Sequence, residues 1–296
     1  MLLGLAIGDA MGAPFEGGPG ERLVWAIIGR DRRGKRRWTD DTQMALDLVD
    51  SHLRCGGVDR DDLARTFAAS YRWHRGYGPG TAEVLRRIRR GEPWRSANRG
   101  VYPEGSFGNG AAMRAPVAAL LTAAAPGRLV EVVRATAEVT HGHETAVQGA
   151  ILVAAATAAA LRGAEAAALL QHAATPVTDR RLQSRLAIAQ RWLEGGTYPG
   201  QRAVRAELGA KTTAPESCVT AVFLGVQSLD RPLHELLHRV RRVGGDVDTI
   251  GAMAAAIWGA HNGATQIPED YLHRLEQRHR LYAAADALWE RVGASS

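Results

Sequence analysis

Residues 145 to 161 read TAVQGAILVAAATAAAL. Whether this apolar, alanine-dominated stretch lies in a membrane or in a protein core decides the architecture. A bilayer core about 30 Å thick needs about 20 strongly apolar residues to cross it, so the segment is too short and too alanine-rich for a span. It reads as a buried helix. On either side of it, apolar residues recur at helical spacing over 42–55, 61–74, 81–90, 111–124, 129–138, 144–162, 164–173, 180–194, 215–228, 232–242, 249–262 and 269–292. Convincing period-two alternation, the mark of strands, is absent. Clusters such as GYGPG (76–80) and PEGSFGNG (103–110) break the pattern at short intervals. The expectation is an all-α, compact single-domain helical bundle over residues 1–296, with no linker longer than a loop and no fixed-period repeat.

A chain of 296 residues buries a sizeable core without staples. Its two cysteines, Cys55 and Cys218, fit neither a disulfide framework nor a zinc-knuckle spacing. Met1 leads into LLGLAIGDAMG with no basic leader region and with Asp9 close behind, which makes a poor signal peptide. A cytoplasmic protein with no membrane partner is expected. The formal charge of +6 suits an anionic partner, although a general arginine bias accounts for it equally well. The densest basic cluster, RDRRGKRR (30–37), has no aromatic residues interleaved with it, so nucleic acid has little support as a partner.

Two acidic motifs precede helix-spaced apolar runs: WTDDT (38–42), carrying Asp40 and Asp41, and GGDVDTIGAM (244–253), carrying Asp246 and Asp248. Each alone is explained by N-capping, since Asp and Thr accept hydrogen bonds from free N–H groups at the positive end of a helix. One cap suffices per helix, however, so carboxylates are left over. Brought together, four such charges repel strongly unless a cation sits among them. Hard oxygen ligands from Asp and Thr select Mg²⁺ or Mn²⁺ over zinc, and the pairing suggests two ions bridged by shared carboxylates. GDAMGAPFE (8–16) adds Glu16 on a Gly- and Pro-rich loop that could deliver it over such a site.

PEGSFGNGAAMR (103–114) places glycines, Ser106 and Asn109 just before an alanine-rich helix, a composition that frees backbone N–H groups for a phosphate at a helix N-terminus. An exposed Phe107 ring there could stack on a base. GYGPGT (76–81) is a weaker version of the same helix entry. In THGHETAV (140–147), His141 serves either a capping turn or a ribose hydroxyl. HELLH (234–238) matches the zinc-peptidase pattern. Leu233, Leu236, Leu237 and Val240 account for it more simply as an amphipathic helix.

In this order, GDAMGAPFE, WTDDTQMAL, GYGPGT, GSFGNGAAMR, THGHETAV, APESCVTAVF and GGDVDTIGAMAAAIWGAHNG closely resemble the ADP-ribosylhydrolases of the dinitrogenase-reductase-activating glycohydrolase type, over nearly the whole chain. The resemblance implies a dinuclear Mg²⁺ or Mn²⁺ centre in a central cleft of an all-α domain. It implies a glycosidase that removes ADP-ribose from modified side chains or from O-linked or poly-ADP-ribose conjugates, by attack of a metal-bound water at the anomeric carbon of the distal ribose. Carried over by position, the metal ligands are Thr39, Asp40, Asp41, Asp246, Asp248 and Thr249, with Glu16 closing over the ions. Asp40, Asp41 and Glu16 are the implied catalytic carboxylates. Gly105, Ser106, Phe107, Gly108, Asn109 and Gly110 would hold the diphosphate and distal ribose, with Phe107 stacking on adenine and His141 touching the ribose. Gly78 and Thr212 join them as substrate-binding positions. The implied protein is a monomer whose partner is an ADP-ribosylated protein or ADP-ribose conjugate. ELGAKTTAPES (207–217) departs from the pattern, with Lys211 and Thr212 where relatives often carry glycine-rich residues. The first helix is also short by family standards. Two other readings fit the same residues: a catalytically silent ADP-ribose-binding protein and a dimetal phosphoesterase.

Overall fold

Alanine and glycine reduce the distance at which helix backbones can meet, and the chain places them where its central helices cross. The computed structural model describes residues 1–196 and 198–293. Among them the α-helices are α1 (Leu2–Gly12), α2 (Pro19–Ile28), α3 (Asp40–Cys55), α4 (Arg60–Ser70), α5 (Pro79–Arg89), α6 (Trp94–Val101), α7 (Ala115–Leu121), α8 (Leu129–Ala137), α9 (Glu144–Leu161), α10 (Ala166–Ala174), α11 (Arg180–Glu194), α12 (Gln201–Glu207), α13 (Ala214–Val226), α14 (Leu233–Val243), α15 (Val247–Asn262), α16 (Glu269–Arg274) and α17 (Arg278–Gly293). No sheet forms among the described residues, only isolated bridges joining Arg30 to Arg36, Arg36 to Leu275 and Gly108 to Thr213.

The alanine-rich α9 sits at the centre, flanked by α7, α8, α10, α13 and α15. By length and composition it could cross a membrane, but it is 89% buried inside the protein, so its apolar surface is already covered. Helices α13 and α15 are likewise buried along almost their whole length, and one continuous apolar cluster runs through all of these elements.

Helices α1 and α15 lie antiparallel in close contact. Gly4, Gly8 and Gly12 of α1 face Ala255, Gly251 and Asp248 of α15, and a Cβ added at Gly8 would lie 2.1 Å from the Gly251 carbonyl oxygen. Without a side chain on that face the two backbones meet directly. The end of α1 is thereby delivered to the start of α15.

The structure corrects several expected boundaries. The run 269–292 is two helices, because Leu275 and Glu276 leave the helix to pair with Arg36: its N–H donates to Arg274 O at 2.6 Å, and Glu276 N–H donates to Arg36 O at 3.0 Å. Gln277 takes a positive φ of 42° at the break. The helix expected from 61 to 74 stops at Ser70, and α7 starts at Ala115 rather than at 111. Helices α2, α6 and α12 lie outside the expected helical runs. In α2, Leu23, Val24 and Ile27 stay exposed while Trp25 is buried, so its pattern is not that of a core-facing helix.

Candidate active site

The start of α3 is held by α1. Asp9 is fully buried and accepts from the Thr39 N–H at 2.9 and 3.0 Å, from the Thr42 N–H at 3.0 Å and from the Thr42 hydroxyl at 2.5 Å. Thr39 caps α3 through its own Oγ1, which accepts the Asp41 N–H at 3.2 Å. Neither Asp40 nor Asp41 is consumed as the cap. At the other end of the chain, Gly244 and Gly245 adopt positive φ values of 71° and 82°. This turn brings the Asp246 N–H to the Ala210 carbonyl at 3.0 Å. A Cβ at Gly245 would lie 1.8 Å from that same oxygen, so the turn requires glycine.

The two acidic starts meet. Thr249 Oγ1 lies 3.4 Å from Asp41 Oδ1, across 208 residues of sequence. Glu16, which follows the short 3₁₀ turn Ala13–Phe15 after α1, has a carboxylate oxygen within 4.8 Å of those of Asp246 and Asp248. Asp248 Oδ1 accepts the Thr249 N–H at 2.9 Å. Asn109 Nδ2 donates to Asp246 Oδ2 at 2.5 Å and to Ser217 Oγ at 3.0 Å.

Among the described residues these carboxylates have no cation in direct contact. None of Asp9, Glu16, Asp40, Asp41, Asp246 and Asp248 forms an ion pair among the described residues. Burial, reinforced by Asp9 and Asp40, pushes Asp41 well above the usual carboxylate range. Burial and then Asp9 do the same to Asp40, and burial and then Glu16 to Asp248. Glu16 is pushed up to about 7 by burial and by Asp246. Asp41 Oδ2 is buried without a hydrogen-bond partner. Arg114, buried and within electrostatic reach of Asp40, is drawn down to about 9 by burial; its terminal N–H groups go to Gly110 O, to Thr136 O at 3.0 Å and to Thr140 Oγ1 at 2.8 Å, and its Nε has no partner. Hard oxygen donors, unbalanced negative charge and a buried orphan oxygen together fit a divalent cation.

The carboxylates open into a cleft of about 260 Å³, bordered by Gly78, Ser106, Asn109, Gly110, His141 and Thr212. One wall is a latch between two loops: the Asn109 N–H donates to Thr212 O at 3.0 Å and the Ala214 N–H to Phe107 O at 3.2 Å. His141 is held neutral, its pKa driven down to about 3 by burial and by Arg114. Its Nδ1 lies 2.8 Å from Thr140 Oγ1.

Other expected site residues stand elsewhere. Phe107 does not line this cleft and is not a free platform; it is half-buried, edge-on to His143 at 4.9 Å and beneath the Arg181 guanidinium at 5.1 Å. Gly105 borders a neighbouring depression with Trp94 and Arg95, and Gly108 backs onto His141. Thr39 is buried behind the carboxylates as the α3 cap. Residues 111–114 form turns before α7, so the glycine-rich loop does not feed directly into a helix N-terminus as expected. Lys211 extends away to Glu216 at 3.0 Å. In HELLH, Glu235 pairs with Arg231 at 3.1 Å and both histidines are exposed, as on an ordinary amphipathic helix. The residues missed in sequence are Asp9, Arg114, Ser217 and Tyr102, the last of which borders the cleft. A carboxylate inside the apolar run LLGLAIGDAMG was the available signal for Asp9, because charges are rarely buried without a task.

Comparison with known proteins agrees with this geometry. A family model described as ADP-ribosylglycohydrolase matches residues 1–296. The chain is 32% identical to the ADP-ribosylhydrolase ARH3 of Xenopus tropicalis, over 90% of this chain and 87% of that one. It is 30% identical to the ADP-ribosyl-[dinitrogen reductase] glycohydrolase of Rhodospirillum rubrum, over 94% and 89%. A solved structure described as an ADP-ribosylglycohydrolase-related protein complex superposes with a TM-score of 0.68 at 28% identity, covering 98% of this chain and 96% of that one.

Proposed function

The chain belongs to the ADP-ribosylglycohydrolase family, and from that premise we propose that it releases ADP-ribose from conjugates by hydrolysis at the anomeric carbon of the distal ribose. The observation that carries this is the meeting of the α3 and α15 starts, with Asp41 against Thr249 and Glu16 within reach of Asp246 and Asp248. Asp40, Asp41, Asp246, Asp248, Thr249 and Glu16 would hold two Mg²⁺ or Mn²⁺ ions, with Thr39 setting the α3 cap behind them. Such ions, when bound, neutralise the carboxylates, grip a ribose diol and make water a better nucleophile.

The remaining work falls to side chains. Asp40, partly exposed to the cleft, orients the attacking water and shares with Glu16 the stabilisation of an oxocarbenium-like transition state. Ser106, Asn109 and Gly110 present the loop wall to the diphosphate. A neutral His141 exchanges a hydrogen bond with a ribose hydroxyl, and Thr212 borders the same cleft.

One assay separates this reading from its rivals. ADP-ribosylated protein and free ADP-ribose are incubated with the enzyme and Mg²⁺, and the products are weighed by mass spectrometry. Free ADP-ribose from the conjugate is the expected outcome. AMP would point to a phosphoesterase, and binding without turnover to a silent module. Asp40→Asn and Asp248→Asn proteins that remain folded yet match the parent rate would remove the assignment.

A further inference from the structure

Beside the cleft runs a groove of about 820 Å³ that the proposed reaction does not use. One side is the 31–37 loop with Arg32, Arg33, Lys35 and Arg37; the other carries His74, Arg75 and His279, with Arg278 already paired to Glu269 at 2.9 Å. Its two acids are already engaged. Asp31 Oδ1 accepts the N–H groups of Arg33 and Lys35 at 2.8 and 2.9 Å, which shapes the loop. Glu276 is buried, paired with Arg75 and bound by the Trp38 N–H at 2.8 Å. Among the described residues no carboxylate pairs with Arg32, Arg33, Lys35 or Arg37. The His74 pKa is lowered, first by burial and then by Arg37, Arg75 and Arg72.

Trp73 stands next to His74, is 74% exposed and meets that imidazole edge-on at 5.7 Å. The basic loop carries no aromatic residue of its own; Trp73 reaches the groove's edge through His74, which lines it. Guanidinium forks match phosphate oxygens, and an exposed indole offers a face to an unpaired base. The groove also adjoins the cleft: Arg75 precedes Gly76, which borders the cleft, and a Cβ at Gly76 would sit 3.9 Å from Asp40 Oδ1.

We propose that this groove holds the phosphate backbone of a single-stranded nucleic acid and so brings ADP-ribose carried on such a strand to the neighbouring cleft. The second half rests on the hydrolase reading; strand binding does not. A concave groove suits a threaded chain, whereas the exposed Leu23, Val24, Ile27 and Trp73 raise an anionic membrane as the competing occupant.

The test uses the full-length protein and fluorescence anisotropy with a labelled single-stranded oligonucleotide. A polyglutamate peptide of equal charge and phosphatidylserine vesicles serve as the other two arms. Neutralising about four phosphates predicts a log–log salt slope of about −3, since a single strand contributes about 0.7 per phosphate. The double variant Arg32→Glu/Arg33→Glu is expected to weaken oligonucleotide binding at least tenfold and to flatten the slope, and Trp73→Ala to weaken it about tenfold, as loss of one stacked base would. Turnover of a small ADP-ribose conjugate should be unchanged in both, while turnover of an oligonucleotide-borne conjugate falls. Binding insensitive to these substitutions overturns the proposal, as does equal affinity for polyglutamate or a preference for vesicles. A parent protein inert on every conjugate that still binds the oligonucleotide through Arg32, Arg33 and Trp73 would instead remove the hydrolase reading alone.

Discussion

Helices α3 and α4 both begin with paired aspartates, Asp40–Asp41 and Asp61–Asp62, yet the two starts are chemically opposite. At α4 every carboxylate has a partner. Asp59 caps the helix through the N–H groups of Asp61 and Asp62 at 2.9 and 2.8 Å. Asp61 accepts the Trp94 indole N–H at 2.7 Å, and Asp62 binds Arg54 and Ser51 at 2.5 and 2.8 Å. Arg54 holds Asp62 well below the usual carboxylate range. At α3 a threonine makes the cap, no protein cation pairs with either aspartate, and burial drives both upward. A pair of acids at a helix start therefore says little by itself. Charge that the fold leaves unbalanced marks the place built for something else.

The sharpest way to break this contrast is to neutralise one acid at each start. Asp41→Asn should lower turnover of an ADP-ribosyl conjugate by about a thousandfold, roughly 4 kcal/mol of transition-state stabilisation. Its melting temperature in chelator should stay at or above that of the parent, because a repulsive charge has gone. Added Mg²⁺ or Mn²⁺, which stabilises a protein by binding only its folded form, should raise the parent's melting temperature and leave the variant's unmoved. Equal responses of the two proteins would put the ions elsewhere. Next in size is Gly8→Val, which forces side-chain carbon into the Gly251 backbone and should cost about 3 kcal/mol or more. Denaturant unfolding checks it, and a loss under about 1 kcal/mol would mean that α1 and α15 can separate without harm.

Much of this was legible in sequence, for identifiable reasons. The alanine-rich α9 and the apolar periods of α3, α11 and α15 follow from local spacing, as does the surplus of carboxylates at two helix starts. The break at 275–277 was not legible, because its cause lies in Arg36, Trp38 and Arg75, far away in the chain. Helix α2 was missed because its exposed Leu23, Val24 and Ile27 do not point to a core. Phe107 misled for the converse reason: its loop looks exposed, but His143 and Arg181 come over it from other elements. The role of the α1 glycines shows only once α15 is seen lying against them. Local pattern shows which groups are in surplus, and only tertiary contact shows which of them find partners.

Asp9 tests whether the α3 start is positioned or merely nearby. Its carboxylate accepts two backbone N–H groups and one hydroxyl, so Asp9→Asn turns one accepting oxygen into a donor facing other donors. A loss of about 2 kcal/mol of stability is expected, within the range for leaving buried polar groups unsatisfied. Turnover should fall with it. Unchanged urea midpoints together with unchanged turnover would show that Thr39 and Thr42 hold α3 unaided.

The smallest effect is expected at the balanced start, and its pH dependence carries the information. Asp62 has a lower pKa folded than unfolded, so its ion pair stabilises the protein above the ordinary aspartate value, near 4. That contribution is lost as the pH falls through the depressed folded value. Because Arg54 is half exposed, solvent screening limits the pair to under about 1 kcal/mol. Asp62→Asn should therefore be slightly less stable than the parent at pH 7, with the gap closing on acidification and turnover at neutral pH untouched. If the gap instead widened as the pH fell, Asp62 would be an unbalanced acid like Asp41, and the distinction between the two helix starts would fail.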